Sequence, residues 1–66
     1  MPPDDGDIYV EFVVQGSVVK VTAIDPKTGM EASVLGPSGA SRMALGDAAM
    51  RKLRYVQRKK NGIQDG

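Results

Sequence analysis

A chain of 66 residues with a formal net charge of +1 and 41% hydrophobic residues describes one small domain with a modest core. It has no cysteine and no histidine, which removes disulfides, thiolate or imidazole metal sites and the usual general base. Neither a metal nor a cofactor is therefore expected. No apolar run approaches the roughly 18 residues of a membrane helix, and the opening MPPDDGD is acidic where a signal peptide is basic. The expectation is a soluble, cytoplasmic protein with no membrane partner.

Residues 1–6 combine two prolines, two aspartates and a glycine, and read as a disordered lead-in to a single domain over 7–62. From Asp7 to Gln15 the pattern alternates, with Ile8, Val10, Phe12 and Val14 on one side and Tyr9, Glu11 and Val13 on the other. Gly16-Ser17 is a two-residue hairpin turn of type II′, and Val18 to Asp25 returns as the second strand. That turn pairs Val14 with Val19, Phe12 with Val21 and Val10 with Ala23 on one face, a register in which a one-residue slip would mix apolar and polar rows. Asp25-Pro26-Lys27-Thr28-Gly29 forms the second turn, with proline presetting the first central dihedral and glycine taking the left-handed position. It sets Ala23 against Ala32 and Val21 against Val34. Gly36-Pro37-Ser38-Gly39 then reads as the end of the third strand.

Ser41 to Lys60 carries a helical period. Leu45, Ala49, Leu53 and Val56 fall on one side, flanked by Ala48 and Tyr55, and Asp47, Arg51, Arg54 and Arg58 fall opposite. Lys52 enters the apolar stripe, where its stem packs and its ammonium reaches outward. Ser38 or Ser41 is the expected N-cap, Asn61-Gly62 a left-handed C-cap contacted by Ile63, and 63–66 a loose tail. Gly46 inside the helix costs about 1 kcal/mol relative to alanine and implies close packing or a bend. The resulting fold class is α+β: a three-stranded antiparallel meander with one C-terminal helix on one face (β-β-β-α).

Charge is divided unevenly. Residues 1–40 carry two basic against six acidic groups, net −4, and 41–66 carry seven against two, net +5. Arg42, Arg51, Arg54, Arg58 and Lys59 are the candidate contacts for an anion or for nucleic-acid phosphates, although cations also belong at a helix C-terminus for dipole reasons. The loop from Gly36 to Arg42 enters a helix as phosphate loops do, but lacks their lysine and spacing. Met43 and Met50 lie one above the other on the side away from the core stripe, a placement that suits either partial burial at the edge of the sheet or an adaptable contact. On the outer face of the sheet Tyr9, Val13, Ile24 and Leu35 are the candidate partner surface. No catalytic set is visible.

Tyr9 to Phe12 (YVEF), Val19 to Pro26 (VKVTAIDP), Thr28-Gly29, Gly36-Pro37, Ala40 to Arg42 (ASR), Lys52-Leu53 and Tyr55-Val56 together resemble a family of short bacterial proteins of unknown function. That resemblance implies a self-standing small domain and no known activity. The element order β-β-β-α is also similar to the last four elements of the double-stranded-RNA-binding domain, with Ser41-Arg42 and Ala48-Ala49 resembling its second helix. This chain departs from that family in lacking the leading helix, the long first hairpin loop and the basic cluster of the first helical turn. The expected function is non-catalytic: interaction with a protein partner, or self-association as a homodimer. The alternative is weak nucleic-acid binding through the basic helix.

Overall fold

The computed structural model describes residues 7–60, so the lead-in 1–6, the Asn61-Gly62 cap with Ile63 and the tail 63–66 lie outside the described residues. Three strands, β1 (Tyr9–Gln15), β2 (Val18–Ile24) and β3 (Glu31–Pro37), precede one helix, α1 (Arg42–Lys60). The sheet is antiparallel in the order β1-β2-β3, an α+β fold of β-β-β-α order.

Turn chemistry sets the register. Gly16 has φ 64° and, among the described residues, none other than glycine has positive φ, the signature of a type II′ turn at Gly16-Ser17. The pairs Val14↔Val19, Phe12↔Val21 and Val10↔Ala23 follow, as the alternation requires. At the second turn the Asp25 Oδ1 accepts from the Lys27 N–H at 2.9 Å and the Asp25 carbonyl from the Gly29 N–H at 2.8 Å. Gly29 turns the chain back with φ 77°, and Ala23↔Ala32 and Val21↔Val34 fall into place.

One boundary differs from the sequence reading. Gly36 and Pro37 continue β3, opposite Val19 and Val18. Proline is tolerated because β3 is an edge strand and the Val18↔Pro37 pair is a non-hydrogen-bonded one: it is the Ser38 N–H that donates to the Ser17 carbonyl, at 2.9 Å. The nitrogen of Pro37 faces away from β2 and has no bond to lose. Gly36 extends the inward row Ala32, Val34 by one more step of the two-residue period.

Ser41, not Ser38, caps the helix. Its Oγ accepts from the Ala44 N–H at 3.2 Å and its carbonyl from the Leu45 N–H at 3.0 Å. The helix lays Ala49 and Leu53 on Val19, Val21, Ala23 and Ala32, all of them buried. Burying a leucine such as Leu53 stabilises by about 1.5–3 kcal/mol, which makes it the largest single anchor between the layers.

Candidate functional site

The helix is not centred on the sheet. It packs chiefly against β3 and β2 and barely touches β1. The inward side chains explain the offset. Beneath the helix β2 and β3 set Ala23, Ala32 and Gly36 among Val19, Val21 and Val34, whereas β1 raises Val10, Phe12 and Val14 with no small residue among them. A helix settles on the low side of such a surface, as close packing demands. Leu45 seats directly on Gly36, where an added Cβ would stand 2.6 Å from its Cδ2. Lys52 reaches over β3 to donate from Nζ to the Ser33 carbonyl at 2.8 Å. Near the other end of the helix Gln57 Nε2 donates to Asp25 Oδ2 at 2.7 Å, tying it to the second turn.

The consequence is an uncovered flank along β1. The inner face read from the alternation is therefore only partly sheathed: Val14 is 52% exposed, and Ile8, Val10 and Phe12 are half-buried. Gly46 is the point where the helix passes beside β1, within van der Waals reach of Val10 and Phe12. Met50 is half-buried against the core, and Met43 is 78% exposed. Above the flank, the Arg42 guanidinium lies 5.3 Å from the centre of the Phe12 ring, a cation–π contact. Sequence reasoning missed this surface. The signal was present in the small inward residues Ala23, Ala32 and Gly36, which β2 and β3 have and β1 lacks.

The four residues expected to form an outer partner face are not brought together. Tyr9 sits beside Ile24 at one end, and Val13 lies across Lys20 from Leu35 at the other. Between them runs the polar row Glu11, Thr22, Ser33, in which the Thr22 and Ser33 hydroxyls bond at 2.8 Å. Tyr9, Val13 and Leu35 are exposed, but Ile24 is half-buried, because it stands in the central strand with neighbours on both sides.

The basic residues also divide. Arg51, Arg54 and Arg58 are exposed along the solvent side of the helix. Lys59 places its Nζ 5.5 Å from the Tyr55 ring, and with Arg58 and Lys60 it complements the helix C-terminus. Arg42 is apart from this group, over Phe12.

The groups best able to perform chemistry have internal partners. Ser41 caps the helix, and the Thr22 and Ser33 hydroxyls bond to one another. The side-chain hydrogen bond from Gln57, then the N–H of Lys27, hold the Asp25 carboxyl below its ordinary value, so it stays ionised. Among the described residues no three His, Cys, Asp or Glu side chains come together to hold a metal. No helix among them is long and apolar enough to cross a membrane.

Comparison with known proteins gives a family and no activity. A family model described as a domain of unknown function (DUF6898) matches residues 5–60. Neither a curated protein nor a solved structure matches the chain. The comparisons do not show the likeness to the double-stranded-RNA-binding domain.

Proposed function

The chain belongs to the DUF6898 family, and from that premise we propose that it is a non-catalytic interaction module that docks through β1 and the apolar flank beside it. The observation that carries this reading is the lateral offset of the helix, which leaves Val14 exposed and Phe12 half-buried on a face whose counterpart on β2 is sealed. An apolar strip beside an unpaired strand edge is the kind of surface that a second polypeptide covers. The engaged hydroxyls and the absence of histidine and cysteine support a non-enzymatic role. A photo-cross-linking amino acid in place of Val14, in the cell of origin, tests the proposal. A covalent adduct with a polypeptide is expected from that position, with none from the same probe at Asp47 on the far side of the helix. A Val14 probe that yields no adduct would overturn the reading.

A second reading, weak binding of nucleic-acid phosphates, is favoured by the exposed run Arg51, Arg54 and Arg58. It predicts that single-stranded RNA or DNA shifts the amide resonances of these three residues at low salt, and that the response fades as salt rises. Unmoved resonances at low salt would remove it.

A further inference from the structure

We infer that the occupant of the β1 flank is a second copy of this chain, its β1 running antiparallel to the first about a two-fold axis at Phe12, so that two sheets join into one of six strands. The inference rests on the reading of β1 as the docking element and names its partner.

The main chain specifies a strand. In a two-residue hairpin the closing pair, here Gln15↔Val18, exchanges both hydrogen bonds, so bonding to β2 alternates through Val13, Glu11 and Tyr9. The N–H and C=O groups of Val10, Phe12 and Val14 therefore point away from the sheet. Among the described residues no strand pairs with that edge. Water solvates such a row, and an extended chain with the same repeat is the polypeptide partner that can bond to all of it at once.

The two edges of the sheet are not alike. On β3 the outward row includes Pro37, which has no N–H, and the Ser33 carbonyl, which Lys52 Nζ occupies at 2.8 Å. Proline and lysine are the devices that keep an edge from pairing. From Val10 to Val14 the β1 edge has neither, and its one charge, Glu11, lies on the outer face with its main chain bonded to Thr22. The fold closes one edge and leaves the other ready to pair.

The strand is also complementary to itself. With the axis at Phe12 the pairing uses all seven residues of β1 from each copy, with Tyr9 opposite Gln15 of its mate. Phe12 then faces Phe12 and Val10 faces Val14 on the inner side, so the half-bare apolar row of each copy covers the other. Glu11 comes opposite Val13. A register moved to an axis at Glu11 would set two glutamates directly opposite, a like-charge pair that disfavours it. The offset helix leaves room over the joint, since it rides on β2 and β3. Arg42 lies above it, and its flexible stem lets the guanidinium turn to solvent as Phe12 is covered.

Sedimentation velocity of the full chain over a wide concentration range, with amide exchange followed by NMR, tests the inference. The expected result is a twofold rise in mass with concentration, accompanied by slowed exchange at the Val10, Phe12 and Val14 amides. Val14→Pro removes one outward N–H and no bond to β2, as Pro37 does on β3, and is expected to keep the protein folded and monomeric. Should that variant fail to fold, Val14→Lys leaves the main chain intact and is expected to abolish the mass increase by placing a charge in the joint. Leu35→Lys, on the outer face, is expected to leave the dimer unchanged. A dimer lost in Leu35→Lys and kept in the Val14 variants would overturn β1 pairing while leaving self-association standing. A monomer at every concentration would also overturn it, and the cross-linking result at Val14 would then decide whether the interaction reading survives with a different partner.

Discussion

Gly36 and Gly46 both face the junction of helix and sheet, yet a methyl group added at each meets a different neighbourhood. At Gly46 the nearest atoms, Phe12 Cζ and Val10 Cγ1, lie 3.8 Å away, an ordinary contact distance. Gly46→Ala thus removes a helix penalty of about 1 kcal/mol at no steric cost, and for a domain of this size the expected rise in Tm is about 4–8 °C. At Gly36 the added carbon stands 2.6 Å from Leu45 Cδ2, so the leucine must rotate or the helix lift. The clash is with the tip of a flexible, half-buried side chain, so its cost offsets the gain from replacing a strand glycine, and Gly36→Ala is expected to raise the Tm less than Gly46→Ala in the same calorimetric experiment. Asp25 supplies a prediction of pH dependence. Its carboxyl is held low by the Gln57 hydrogen bond first and the Lys27 N–H second, so the folded state binds that proton less readily than the unfolded chain does. The stabilisation is therefore complete above the ordinary carboxyl value and is lost as pH falls through the lowered one. Gln57→Ala weakens the effect, and the acid limb of a stability–pH curve should become shallower in that variant while the neutral limb keeps its slope.

At the level of elements, the hairpins were readable because two independent signals coincide. A two-residue turn at Gly16-Ser17 admits one pairing, and the alternation of Val10, Phe12 and Val14 against Val19, Val21 and Ala23 admits the same one. The buried stripe of the helix was readable for a similar reason, with Ala49 and Leu53 at the centre of its period and sealed in the structure. What periodicity cannot state is which strands a helical stripe lies across, because that depends on the relief of the opposing surface. The reading of Gly36-Pro37 as a strand end failed on the same kind of ground: edge position decides whether a proline is tolerated, and the order of strands is a tertiary fact. Two leucines measure the contrast between sealed and open positions. Leu53→Ala is expected to cost about 2–5 kcal/mol, on the order of the whole stability of a domain this small. Leu35→Ala, at a side chain 70% exposed, is expected to stay within about 0.5 kcal/mol. Urea midpoints of the two variants settle the comparison.

Across the whole molecule, the outcome is a sheet with one face closed over two strands and open over the third. Small residues draw the helix to β2 and β3, a lysine and a proline blunt the far edge, and the near edge keeps both its hydrogen-bonding groups and its apolar side chains. The partner residues expected on the outer face were separated by Lys20 and the Thr22–Ser33 row, because alternation places residues on a face without saying whether they touch. The docking role proposed for β1 depends on where the second layer stops. The most direct test uses the natural lack of cysteine. Val14→Cys and Ala49→Cys, each labelled with a thiol reagent in dilute solution, report the bare flank and the sealed core. The thiol at position 14 is expected to react at nearly the rate of the urea-unfolded chain while that at position 49 is strongly protected, and equal protection at both positions would contradict a helix offset from β1.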